Sequence, residues 1–170
     1  MNDPKAGTFT RFWGASTGGR VALPAIEEQA KGPAVQLVCG PLYHVHGLGL
    51  SVNSLLMGDK VVLTERFAAE QVARLIARHR VTTVAFVATM LIRMAKVPNL
   101  ESYDFSSLRL VVAGGGAIPH AVMKKWINLV GPERFVYMYS STESVGSAVI
   151  TGAEILRKPG SVGRGSNAEI

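Results

Sequence analysis

From residue 34 onward, short apolar runs rich in valine and leucine alternate with segments whose apolar positions recur at helical spacing, and this alternation restricts the fold more than any other feature. The runs Ala34 to Cys39, Lys60 to Thr64, Val81 to Val87, Leu108 to Ala113 and Phe135 to Tyr139 have the length and β-branched content of strands. Between the first two, Gly47 to Met57 is apolar with small residues, as expected of a buried helix packed close to a sheet. In Ala68 to Arg80, the residues Ala68, Val72, Leu75 and Ile76 fall at i, i+4, i+7 and i+8, one face of a helix. Met90 to Ala95 reads as a short helix. Pro119 to Val130 begins with proline in its first turn and aligns Val122, Trp126, Leu129 and Val130 on one side. Strands that alternate with helices imply an α/β fold, a mostly parallel sheet flanked by helices.

The stretch 1–33 is different. It holds the breakers Gly14, Gly18, Gly19, Pro24 and Pro33 and has neither a strand nor a helix period, so it is set apart as loop-rich and out of context. With 170 residues and 48% hydrophobic content, the remainder suffices for one core and one domain. A formal charge of +6 raises the question of nucleic acid. Arg74, Arg78 and Arg80 read as the solvated face of a helix, while Lys124, Lys125, Arg157, Lys158 and Arg164 are scattered, with no interleaved aromatic residues to stack on bases. Nucleic acid is therefore not an expected partner. No apolar run is long enough to cross a bilayer and no basic patch precedes an apolar signal core, so a cytoplasmic location with no transmembrane segment is expected. Cys39, the single cysteine, lies in an apolar run and is expected to be buried and inert.

In parallel sheets ligands bind beyond the carboxyl ends of the strands, which directs attention to the residues that follow each apolar run. Three stretches qualify: Pro41-Leu42-Tyr43-His44-Val45-His46-Gly47, Gly114-Gly115-Gly116-Ala117-Ile118-Pro119 and Tyr137-Met138-Tyr139-Ser140-Ser141-Thr142-Glu143. The glycines let backbone approach a flat ring or a phosphate; they equally suit a tight strand-to-helix turn. Thr142 offers a hydroxyl donor and Glu143 a hard oxygen ligand, the pair suited to a phosphate and its magnesium, although Thr-Glu also starts ordinary surface helices. His44 and His46 stand two apart with no carboxylate nearby, a pattern closer to hydrogen-bonded lining residues than to a metal site.

Taken together and in order, these stretches resemble the adenylate-forming superfamily of acyl-CoA synthetases, aryl-CoA ligases, luciferases and peptide-synthetase adenylation domains. PLYHVHG is similar to that family's P-L-F-H-x-x-G motif, VVAGGGAIP to its glycine-rich adenine-binding segment and YMYSSTE to its Y-G-x-T-E motif. Gly160-Ser161-Val162-Gly163-Arg164 resembles the G-[ST]-V-G-x-P turn, and RFAAEQVARLIARHRVTTVAFVATM matches the family's helix and following strand. The resemblance spans about Ala34 to Gly165, as a partial AMP-binding subdomain of the large N-terminal domain, leaving 166–170 as a truncated tail.

The resemblance implies a two-step ligation: a carboxylate attacks the α-phosphate of ATP to give an acyl adenylate, and the thiol of CoA then displaces AMP. Thr142 would contact the AMP phosphate with Ser140 and Ser141 beside it, and Glu143 would hold Mg²⁺. Gly114, Gly115, Gly116 and Ala117 would line the adenine and the adjoining acyl pocket, and Tyr139 would stack near the base. His44 would border the acyl carboxylate as a gate, and Val87, Ala88, Thr89 and Met90 would line the acyl tunnel. The substrate implied is a hydrophobic carboxylic acid, with fatty or other lipid acids favoured over amino acids.

Three positions depart from the family's pattern. Ser140 and Ala88 stand where it usually has glycine and proline, and Gly165 replaces a second proline. The family's phosphate loop ending in Pro-Lys-Gly has no clear counterpart; Pro4-Lys5 and the composition of Gly14 to Arg20 only approach it. The ribose-binding aspartate and the C-terminal domain with its lysine are also without counterparts. The expectation is therefore a fragment of an ATP-dependent acyl-CoA ligase, inactive alone and prone to self-association through exposed apolar surface. The alternative is a non-catalytic nucleotide-binding or interaction module derived from such an enzyme.

Overall fold

A computed structural model describes residues 32–140 and 147–166. The strands are β1 (Val35–Val38), β2 (Lys60–Leu63), β3 (Thr83–Val87), β4 (Leu110–Gly114), β5 (Phe135–Ser140), β6 (Ser147–Thr151) and β7 (Arg164–Ser166). The helices are α1 (Val45–Leu56), α2 (Ala69–His79), α3 (Ala88–Met94), α4 (His120–Val130) and α5 (Gly152–Arg157), with a 3₁₀ turn at Leu100–Ser102. They form one seven-stranded sheet in the order β2-β1-β3-β4-β5-β6-β7. The first five strands in that order are parallel, and β6 and β7 join antiparallel.

The parallel part follows from its sequence. β3 reads Thr-Val-Ala-Phe-Val and is buried along nearly its whole length, because a strand covered on both faces has no polar side to offer. Behind it lies the main core, where Trp126 of α4 meets the rings of Phe86 at 5.6 Å and Phe105 at 5.8 Å in tilted contacts. Val72, Ala73 and Ile76 of α2, Leu91 and Met94 of α3, and Met123, Ile127 and Val130 of α4 fill the rest. The α2 stripe expected from spacing is the one that packs, with Leu75 at its margin. α2 ends where Arg80 takes a left-handed conformation, φ 50° and ψ 50°, and its N–H reaches back into the last turn.

Two expectations change. The final part of the chain continues the sheet, with β6, α5 and β7 where no element was foreseen. α5 is held at its start by a capping box: Thr151 Oγ1 accepts from the Glu154 N–H at 3.3 Å, and a Glu154 carboxylate oxygen accepts from the Thr151 N–H at 3.0 Å. The segment Gly47 to Met57, expected to be a buried helix, is helical from Val45 but only half buried. Gly47, Leu50, Ser51, Asn53 and Ser54 face inward, while Val45, Leu48, Val52, Leu55 and Leu56 face out. The polar groups turned inward are tolerable where paired: Ser51 Oγ donates to the Gly47 carbonyl at 2.8 Å. Cys39 is buried as expected, and burial pushes its thiol up to about 12.

Candidate functional site

Because β1, β3, β4 and β5 are parallel, the segments that follow them emerge at one edge of the sheet. Register aligns Val87, Gly114 and Met138 across three strands, so the end of β3, the glycine turn after β4 and the last residues of β5 are neighbours. The structure therefore brings together Val87, Ala88, Gly114, Gly115, Gly116, Ala117, Tyr139 and Ser140.

Each glycine of the triplet has its own physical reason. A Cβ on Gly114 would stand 2.6 Å from the Met138 carbonyl oxygen of the adjacent strand, so close approach of backbone excludes a side chain there. Gly115 and Gly116 have φ of +67° and +151°, conformations that side-chain-bearing residues rarely adopt. Their outer faces, with Ala117, are exposed, and beneath them lie Val87 and the buried Ala88. The result is exposed backbone at the sheet edge, with the Ala117 methyl beside it.

Tyr137 braces this turn. It is buried within β5 and its hydroxyl donates to the Gly116 carbonyl at 3.1 Å, tying the turn to the neighbouring strand. Burial, and then the nearby Tyr139, raise its pKa above the ordinary phenol value. Tyr139, two residues on and therefore on the same face of the strand, is 55% exposed beside the same turn. Tyr137 was given no role from the sequence, although its position between Val136 and Met138 in an apolar strand was a sign of burial. Thr89 is exposed in the first turn of α3.

The two histidines separate. His44 is the N-cap of α1 and is exposed, its ring against that of Tyr43 at 5.2 Å. His46 turns inward and lies over Gly40, where an added Cβ would come within 2.7 Å of the ring. Its Nε2 is buried without a hydrogen-bond partner among the described residues. Burial holds its pKa below the ordinary value, partly countered by the Ala85 carbonyl and reinforced by His44. Ser141, Thr142 and Glu143, to which the phosphate and magnesium roles were given, lie outside the described residues. Among the described residues no three His, Cys, Asp or Glu side chains gather as a metal site. No described helix is long and apolar enough to cross a membrane.

Comparison with known proteins places this geometry. The sequence pattern of the family described as "AMP-binding enzyme" matches residues 16–170. The 4-coumarate–CoA ligase-like 5 protein of Oryza sativa subsp. japonica is 34% identical over 148 residues, which are 85% of this chain and 27% of that protein. The amide bond synthetase McbA of Marinactinospora thermotolerans has a solved structure that superposes with a TM-score of 0.67 at 29% identity, covering 79% of this chain and 27% of that one. The o-succinylbenzoate CoA synthetase of Bacillus subtilis, solved with its acyl-adenylate intermediate, superposes with a TM-score of 0.72 at 25% identity, covering 94% of this chain and 31% of that one. The chain thus spans about a quarter of the length of its rice relative.

Proposed function

This chain belongs to the AMP-binding enzyme family of adenylate-forming enzymes, and on that premise we propose that it carries the adenine-binding and acyl-lining edge of an ATP-dependent acid–thiol ligase. The observation that carries the reading is the exposed Gly115–Gly116 turn after β4, braced by Tyr137 and flanked by Tyr139 and the end of β3. A planar base fits against backbone that has no side chains to displace, with the Tyr139 ring available for stacking.

Residue roles follow from placement and from the family's motif. In sequence, Thr142 and Glu143 come two and three residues after Ser140, the last residue of β5. In the proposed roles the Thr142 hydroxyl would donate to the α-phosphate and the Glu143 carboxylate would hold Mg²⁺, which when bound would supply neutralisation of charge on the phosphate oxygens. Ser140 and Ser141 add hydroxyl donors beside them. Val87 and Thr89, near the glycine turn, line the acyl group, with Ala88 supporting the turn from below. His44, the exposed N-cap of α1 in the segment that follows β1, the strand beside β3, is assigned the role of a gate for the carboxylate.

The substrate proposed is a hydrophobic carboxylic acid, transferred to CoA. The names of the rice and Bacillus relatives move the preference from fatty acids towards aromatic ones. Because these residues span about a quarter of the rice relative, binding of nucleotide without turnover is the expected behaviour of the chain alone.

The test is calorimetric titration of the purified chain with ATP and Mg²⁺, beside Glu143→Ala, with pyrophosphate exchange assayed on the same samples. Saturable binding that the substitution weakens about tenfold, equivalent to about 1.4 kcal/mol, supports the reading. Absence of ATP binding by the folded wild-type chain refutes the nucleotide role and leaves an interaction module derived from such enzymes.

A further inference from the structure

The chain leaves β1 through α1 to form β2 on one side, then returns across β1 through α2 to start β3 on the other. The direction of strand addition therefore reverses between β1 and β3. α1 packs on one face of the sheet, where Leu50 meets Val38 and Ala85, while α2, α3 and α4 pack on the opposite face with Leu37, Val84 and Phe86. Connections that depart to opposite faces leave a crevice beyond the carboxyl ends of the two strands between them, the place where open α/β sheets bind ligands. Register shows where it opens. β1 and β3 pair at Gln36 with Thr83 and Leu37 with Val84, whereas β3 stays paired with β4 as far as Val87. Among the described residues, Ala85 to Val87 have no strand partner on the β1 side.

Two side chains reach this gap. Cys39 Sγ donates to the Ala85 carbonyl at 4.0 Å, and the His46 ring lies over Gly40, a place open to it because that glycine has no Cβ. The Ala85 carbonyl also acts on the His46 ring, which sets the ring at the gap. Its Nε2 is enclosed and has no hydrogen-bond partner among the described residues. Enclosing a polar nitrogen without a partner costs about 1–3 kcal/mol, and packing alone does not explain that cost, since an aliphatic side chain fills such a place without it. Burial, with His44 in support, keeps the ring neutral at pH 7. A neutral imidazole has one N–H; assigned to the Ala85 carbonyl, it leaves a bare lone pair at the unpartnered Nε2. That lone pair calls for a donor. A hydroxyl supplies one, and neither a carboxylate nor an alkyl chain does.

The crevice adjoins Val87 to Thr89, the acyl-lining end of β3 in the function proposed above. It lies about one and a half strand spacings, about 7 Å, from the glycine turn after β4, a distance that a small aromatic acid spans. Taking that acyl-lining role as given, we infer that His46 is a specificity-determining residue whose Nε2 accepts a hydrogen bond from a hydroxyl group of the acid, so that hydroxylated acids are selected over unsubstituted ones.

The test is calorimetric titration of the full 170-residue chain with phenylpropanoic acid, its ortho-, meta- and para-hydroxy derivatives and pantetheine, beside His46→Phe and His46→Gln. Circular dichroism checks the fold of each variant, and nitrogen NMR follows the His46 imidazole during each titration. The expected result is that at least one hydroxylated acid binds the wild type about tenfold more tightly than the unsubstituted acid and moves the Nε2 resonance. The preference disappears in His46→Phe and persists in part in His46→Gln, whose amide oxygen is an acceptor. Where His46→Phe does not fold, the imidazole resonance decides. ATP with Mg²⁺ is titrated separately into the same wild-type samples, so that a chain without ATP binding refutes the nucleotide reading whatever the acids do. Equal affinity for all the acids, no binding of any acid, an Nε2 resonance that does not move, a preference that survives in folded His46→Phe, or dependence on His46 seen with pantetheine in place of the acids would overturn the inference.

Discussion

Replacing Gly114 by alanine isolates a single physical cause at the candidate site. The glycine sits at the end of β4 with no positive φ, so the added methyl introduces no backbone strain of its own. What it meets is the Met138 carbonyl oxygen at 2.6 Å, whereas ordinary contact begins at 3.4 Å. Neither party is a flexible side chain. The only relief is separation of β4 from β5 at their carboxyl ends, where Gly114 pairs with Met138 in register. Overpacking of this kind costs about 1–3 kcal/mol, and the absence of any yielding side chain argues for the upper half of that range. For a chain of this size the midpoint of thermal unfolding falls by about 2–4 °C per kcal/mol, a drop of about 4–12 °C. The same separation tilts the Gly115–Gly116 turn, so ATP affinity measured by calorimetry falls as well. Gly58→Ala is the complementary control, because Gly58 has φ +74° and open space around it, which leaves conformational strain of about 1 kcal/mol and no clash. If Gly114→Ala melts within a degree of wild type, or no lower than Gly58→Ala, the close approach of the two strands is refuted.

Three other outcomes follow from the geometry. Tyr137→Phe removes the hydroxyl bound to the Gly116 carbonyl, and because Gly116 is exposed its carbonyl regains water; unfolding shows a loss of about 0.5–1 kcal/mol, and unchanged ATP affinity would show that the brace does not shape the nucleotide site. Burial keeps the His46 pKa below its ordinary 6.5, so as pH falls beneath that value the unfolded chain takes up a proton that the folded chain refuses. Stability is therefore level above about pH 7 and declines below about pH 6.5, and chemical denaturation from pH 5 to 8 should show a steeper decline for wild type than for His46→Gln; parallel profiles would remove His46 as the cause. Cys39, with its thiol pushed up to about 12, should resist an alkylating reagent at pH 8 in the native chain and react once denatured, and rapid native labelling would contradict its burial.

The parallel half of the sheet was legible because β1, β3 and β4 are buried along most of their length and its helices on one face, conditions that leave clear patterns in a sequence, while the edge strand β2 was marked by its β-branched run alone. β6 and α5 were less so. Ser147 and Ala148 make the first half of β6 weakly apolar, and α5 has six residues, too few to display a helical period. The readable signals were Val149-Ile150-Thr151, a β-branched run, and Thr151 followed three residues later by Glu154, a capping box in plain sequence. α1 misled for the opposite reason. Its leucines and valines suggested burial, yet apart from Leu50 the inward side belongs to glycine, serine and asparagine, and Gly47 packs against the Pro41 carbonyl, where a Cβ would collide. Apolar content alone does not say which face of a helix meets the sheet when small residues allow the closer approach.

The glycine triplet shows how far a motif and its fold can be separated. Gly114 is explained by a neighbouring strand, and Gly115 and Gly116 by their backbone angles, so none of the three requires a ligand to account for it. A tight strand-to-helix turn, the plainer of the two readings open at the sequence level, is therefore correct as far as it goes. It does not account for the position of that turn. Three parallel strands end together there, a buried tyrosine donates its hydroxyl proton to the Gly116 carbonyl, and the outer surface is exposed backbone with only the Ala117 methyl beside it. A turn needed only for chain reversal requires the conformational freedom of glycine. The missing Cβ atoms answer to neighbours inside the fold, Met138 at Gly114, Val87 at Gly115 and Ala88 at Gly116, so the case for a flat ligand rests on the exposure of the turn beside Tyr139 and not on the glycines themselves.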